Sequence, residues 1–237
     1  MKKTVVSFAD GSGNYAKALM RLEQSLRQVN FEGQFKGIND YGHIGSPHHK
    51  GSPGAVPYAF KALSIKKAIE EGADLILWCD SVVYATKSIN PIFEYIEKSG
   101  VLLFDNIGYS IGDYTSDYCL DYYNMTREQA FNNKMIMACV MGFNVHNPTA
   151  KEFLDQYISA SELGVSSPYN GDWSNNNLEV SNDMRVKGHR HDQSVASVLA
   201  EQMNIPIINA QSTFFAYESH KGIVPVSNNV CLWSGGI

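Results

Sequence analysis

The chain has 237 residues, 44% of them hydrophobic and 18% charged, enough for one sizeable α/β core and short for two. Nineteen Lys and Arg against 24 Asp and Glu give a net charge of −5. That excludes a broad basic footprint for nucleic acid or anionic membrane and leaves room for a local patch.

Thr4–Ala9 is a short apolar run that reads as a buried strand. The turn Asp10–Asn14 (DGSGN) follows, then a helical period through Tyr15, Leu19, Leu22, Leu26 and Val29. Phe31–Ile38 supplies a second strand. Tyr41–Pro57 is rich in Gly, Pro, His and Ser and has no period, so it reads as a long binding loop or lid. Tyr58–Glu71 is a helix stopped by Gly72, and Asp74–Cys79 is a strand. Asn90-Pro91 opens a helix that Gly100 ends. Val101–Phe104 is a strand closing on Asp105-Asn106. Thr126 with Gln129 forms a capping box for a helix to about Ala138, followed by a strand over Val140–Val145. Asn147-Pro148 opens another helix. Ser166–Met184 reads as irregular, Asp192–Met203 as helix and Ile205–Ile208 as the last clear strand. The tail holds only short aromatic pieces.

Strands alternating with helices imply a mostly parallel sheet covered on both faces. No linker divides the chain, so one domain over 1–237 is expected. Cys79, Cys119, Cys139 and Cys231 lack CxxC spacing; Cys79 and Cys139 fall in apolar runs and read as buried thiols of a reducing compartment. The apolar run before Asp10 is too short for a signal peptide, and no run is long enough to span a bilayer. The expectation is a soluble cytoplasmic protein.

Ligands of such sheets gather beyond the C-terminal strand ends. Asp10, Asp80 and Asp105 each follow an expected strand. Asp80 interrupts the apolar stretch LILWCDSVVY (Leu75–Tyr84), and a carboxylate emerging there must meet water, a donor or a cation. A capping aspartate is one reading. A ligand for Mg²⁺ or Mn²⁺, which take hard oxygens together with substrate phosphates, is the other.

At Asp80-Ser81-Val82 the sequence resembles the D-x-D motif of GT-A glycosyltransferases, with Val82 replacing the second aspartate. The resemblance implies a GT-A-like Rossmann-type sandwich with a mostly parallel mixed central sheet. It implies transfer of a sugar from a nucleoside-diphosphate sugar, UDP-sugar foremost, to an acceptor hydroxyl. Phe8, Ala9, Asp10 and Tyr15 would then hold the nucleotide. Lys61, in a segment similar to the helix that precedes D-x-D, would contact the donor together with Ser81 and Lys221. Asp80 and His220 would hold Mn²⁺ or Mg²⁺. Asp192 and Asp105 would orient or deprotonate the nucleophile, although Asp192 also reads as a helix cap.

The aromatic segment Tyr109–Tyr123 and Trp173 suit a glycan or small-molecule acceptor. A nucleic-acid acceptor would use Arg185, Lys187 and Arg190. A nucleotidyltransferase and a non-catalytic nucleotide-sugar or glycan-binding module are the alternatives. The former is disfavoured by the absence of a basic glycine-rich loop. Zinc hydrolysis through His48, His49, His189 and His191 is disfavoured by their spacing.

Overall fold

The computed structural model describes residues 1–11, 13–40, 56–165, 174–223 and 225–236; the side chain of His220 lies outside this set. Six strands form the main sheet: β1 (Lys3–Phe8), β2 (Gln34–Ile38), β3 (Leu75–Cys79), β5 (Val101–Ser110), β6 (Lys134–Asn144) and β7 (Ile207–Ile208). Their order is β2-β1-β3-β6-β5-β7. β1 pairs parallel with β2 and β3, and β5 pairs parallel with β7. β6 runs antiparallel between β3 and β5. A smaller sheet holds β4 (Val83–Ala85), β9 (Val230–Ser234) and β8 (Phe214–Tyr217), in that order.

The central strands are buried on both faces, which is why β3 reads as an unbroken apolar run. Val6, Ile76 and Trp78 point to one face. There they meet helices α2 (Ala59–Glu70), α6 (Pro148–Glu162) and α7 (His191–Gln202). Val5, Leu75, Leu77 and Cys79 point to the other, against α1 (Gly13–Gln28) and α3 (Asn90–Ser99). Two short helices, α4 (Asp117–Tyr122) and α5 (Arg127–Asn132), complete the set among the described residues.

The capping box is present: Thr126 Oγ1 accepts from the Gln129 amide, and the Gln129 side chain answers the Thr126 amide. The helix it opens nevertheless ends at Asn132, not Ala138, and β6 begins at Lys134 rather than Val140. A continuous apolar run carries no period, so KMIMACVMGFN does not declare which element it belongs to; burial between two strands makes it β. β5 likewise runs on to Ser110, which places Asp105 inside a strand rather than beyond its end. Asn147 caps α6 by accepting from the Ala150 amide. The cap of α3 is Ile89, with Asn90 already helical. Most of the segment 41–57 and Trp173 lie outside the described residues.

Candidate active site

β3 delivers its last residues to the sheet end where β6 passes alongside. The Asp80 amide continues the ladder by donating to the Cys139 carbonyl at 2.8 Å, and the Asp80 carbonyl accepts from Val83 at 2.9 Å. This tight turn fixes the carboxylate and sends the chain into β4, where Val83 and Ala85 are buried again. Trp78, two residues earlier on the same face, donates its indole Nε1–H to Asp80 Oδ1 at 2.8 Å.

Lys61 lies in the first turn of α2 and is only 3% exposed. Its ammonium stands 3.2 Å from Asp80 Oδ1 and 3.0 Å from Asp192 Oδ2. It donates to the Ala138 carbonyl of β6 at 2.8 Å and sits 5.6 Å from the centre of the Trp78 ring. Burial alone would strip its proton, but the fields of Asp192 and Asp80 outweigh that and raise the Lys61 pKa. Asp192, in the first turn of α7, is also 3% exposed. Burial pushes its carboxyl up, and Lys61 pulls it back. The Tyr157 hydroxyl donates to the same Oδ2 at 3.2 Å. The helix begins at His191 with Arg190 at the cap position, so Asp192 does not cap it.

A cavity of about 190 Å³ opens onto this triad. Tyr58, Asn106, Cys139, Arg190, Gln193 and Tyr217 are among its other lining residues. Tyr58 has a left-handed backbone (φ 64°) and stacks on His191 at 5.2 Å. Burial first, and then Asp192, push its hydroxyl up to about 12. Burial, with Asp80 nearby, holds the Cys139 thiol protonated at about 12. Arg190 lies 4.0 Å from the centre of the Tyr114 ring.

No protein-family model and no curated protein matches the sequence. Solved structures do. A glycosyltransferase involved in glycosylation of the major capsid of PBCV-1 aligns over 99% of this chain and 93% of its own, with TM-score 0.56 and 13% identity. Mouse xyloside xylosyltransferase 1 aligns over 100% and 98%, with TM-score 0.53 and 8% identity. The bifunctional glycosyltransferase WbbM gives TM-score 0.57 at 11% identity over 100% of this chain, which spans 46% of WbbM. The chain has the GT-A glycosyltransferase fold. At such identities the likeness is one of architecture.

Within the GT-A fold, the expected residues Lys61, Asp80 and Asp192 come together. Phe8 is buried and stacks on Phe60 at 4.6 Å, while the Ala9 amide pairs with the Ile38 carbonyl. Asp10 follows them and Tyr15 is exposed on α1. Ser81 is buried in the turn. Lys221 is held near the small sheet, 3.3 Å from Glu218 and over the Trp233 ring at 4.4 Å. Asp105 does not line the cavity: its Oδ1 accepts from the Ala210 amide at 2.8 Å. Arg185 pairs with Asp183 and Glu128, and Lys187 with Asp113.

Asp80 Oδ2 and Asp192 Oδ1 carry no hydrogen bond among the described residues. Asp80, with about a third of its side chain exposed, can therefore offer one hard oxygen to a cation. Val82 offers none, and the described residues contain no cluster of three His, Cys, Asp or Glu suited to a metal. No helix among the described residues is long and apolar enough to cross a membrane.

Trp78, Ala138, Tyr58 and Tyr157 entered the site unannounced. Trp78 had a signal, since residues two apart in a strand share a face. Ala138 contributes through its carbonyl, to which its side chain is no guide.

Proposed function

We propose that this protein transfers a sugar from a nucleoside-diphosphate sugar, a UDP-sugar foremost, to a hydroxyl of a glycan or small-molecule acceptor. The observation that carries the reading is the buried Lys61 ammonium held between Asp80 and Asp192 at the end of β3, in a GT-A fold. A sugar presents several hydroxyls that need both donors and acceptors, and this triad supplies both on one wall. Galactosyltransferase LgtC, whose structure contains donor and acceptor sugar analogues, aligns over 98% of this chain with TM-score 0.50 and 13% identity.

In this reading Lys61 and Asp192 orient the transferred sugar, and Asp192 Oδ1 accepts from a substrate hydroxyl. Phe8, Ala9, Asp10 and Tyr15 border the nucleotide. Asp80 Oδ2 would hold Mn²⁺ or Mg²⁺, with His220 as the proposed second ligand. A bound ion would offset charge on the leaving diphosphate, and one carboxylate plus phosphate oxygens and water is an ordinary set for Mg²⁺. Lys221 is the cation proposed to support the diphosphate. Asp105 acts at one remove, by fixing the backbone at Ala210.

The test is a donor screen detecting the released nucleoside diphosphate. Asp80→Ala is expected to lower turnover at least about 100-fold, as loss of a charge-positioning group does, with the circular dichroism spectrum unchanged. Full activity in D80A, or no nucleoside-diphosphate binding with Mn²⁺ or Mg²⁺, would remove the basis for the reading.

A further inference from the structure

Beside the Lys61 cavity lies a second one of about 210 Å³, lined by Asn106, Ile107, Tyr109, Met137, Ala210, Gln211, Tyr217 and Ser219. Asn106, Met137 and Tyr217 line both, so the two spaces share a wall. Gln211 is 4% exposed. Among the described residues neither its Nε2 nor its Oε1 has a hydrogen-bond partner, and Asn106 Nδ2 is buried and unpaired as well.

The backbone around Gln211 is firmly held. Its amide donates to the Phe215 carbonyl at 2.9 Å, and its carbonyl accepts from the Ser227 amide at 3.0 Å. The preceding residue is tied to Asp105. Gln211 itself adopts φ 74°, a left-handed conformation uncommon for a residue with a long side chain. A buried carboxamide with both ends unpaired is costly, and the surrounding bonds hold it in place.

Among the described residues the lining contains no Asp, Glu, Lys or Arg. Tyr109 brings an aromatic ring, with Lys187 and Arg190 each 5.2 Å from its centre; Lys187 is paired to Asp113. The described lining therefore suits an occupant that offers both donors and acceptors at close spacing, carries no charge, and presents a C–H face to a ring. A neutral saccharide does all three.

We propose that this second cavity is the acceptor subsite and that Gln211 and Asn106 select an uncharged sugar bearing vicinal hydroxyls or an acetamido group. The assignment rests on the transferase reading, because a shared wall is what brings an acceptor hydroxyl next to the donor sugar. It extends that reading from a reaction to a substrate class.

Two measurements separate the two claims. Saturation-transfer NMR with methyl glycosides of glucose, galactose, N-acetylglucosamine and glucuronic acid, with UDP present, reports the subsite without needing turnover. Release of nucleoside diphosphate from UDP-sugars in the absence of acceptor reports the donor site alone. The subsite predicts signals from neutral glycosides and none from the glucuronide. Gln211→Met keeps the length of the side chain and removes the amide. It is expected to weaken neutral-glycoside binding about tenfold, the worth of one or two lost hydrogen bonds. Its donor hydrolysis should match wild type, and its melting temperature should stay level or rise, because an unpaired amide has been removed. Asn106→Leu should weaken the same glycosides. Glycoside binding untouched by Gln211→Met, equal binding of the glucuronide, or no neutral-glycoside signal from wild type would each overturn the proposal. A failed donor assay alone would count against the transferase reading instead.

Discussion

A lysine with 3% of its surface exposed survives in this fold because two carboxylates and a carbonyl surround its ammonium. Removing it would leave the Asp192 carboxyl buried without its counter-charge, while removing Asp80 would not, since Lys61 keeps Asp192. Lys61→Met is therefore expected to cost about 3–5 kcal/mol, the usual penalty for breaking a buried pair. The double change Lys61→Met/Asp192→Leu should restore much of that stability in urea titrations while leaving turnover abolished. If K61M is as stable as wild type, the pair is not the buried ion pair described above. At this scale the sequence told much about which side chains carry chemistry. Lys61 and Asp80 are ionisable residues set in apolar stretches, and each needs a partner; Asp192 stands in the polar stretch HRHDQS and is reached only through the resemblance. It told little about how they are joined. Tyr157 reads as one more inward aromatic on α6, and the Ala138 carbonyl has no residue-type signature at all.

Among the elements, β6 shows only its second half in the sequence and matters most. Its eleven residues carry the carbonyls that pair with Asp80 and Lys61. An apolar run without a period hides both its type and its start, whereas the caps at Thr126 and Asn147 were readable because each is a local side-chain-to-backbone contact. Gly142 lets β6 lie close under α3: a Cβ there would come 2.4 Å from Ile96 Cδ1 and 3.0 Å from Leu102 Cβ. Gly142→Val should overpack this contact and destabilise by about 1–3 kcal/mol. Adding Ile96→Val should recover part of the loss, and a melt in which the two changes are simply additive would place the strain elsewhere.

For the whole molecule, the described part of the 174–190 segment is tied to the α4–α5 region by carboxylates. Asp117 accepts from Ser181 Oγ and the Asn182 amide and pairs with Arg127; Asp113 pairs with Lys187. Burial works against ionisation of both, yet these bonds outweigh it and hold both carboxyls below the usual 3.8. Arg185 does the same for Asp183, held at about 2. A depressed carboxyl stabilises the fold fully above its unfolded pKa and stops doing so as pH falls through its folded one. The segment should thus exchange its amides faster below about pH 3.8 while the central sheet stays protected. Asp117→Asn should reproduce part of this at neutral pH, and equal acid sensitivity in both regions would refute the local origin. The alternation of strands and helices made the layered architecture legible. The small sheet was not, because β4, β8 and β9 come from distant parts of the chain and each is too short to show a period.

The grip of the Ala138 carbonyl on Lys61 has a consequence for how such a protein can drift. A carbonyl is the same whatever side chain accompanies it, so substitutions at position 138 that fit the space leave the acceptor in place. What cannot change is the count of residues between the ends of β6. Deleting one residue there would shift the pairing of Trp78 with Met141 and of Cys79 with Val140, and would turn a different group toward the ammonium. Alphabet is free where arithmetic is fixed. A chain built this way can keep its architecture at 8–13% identity to its structural counterparts after the familiar letters have worn away.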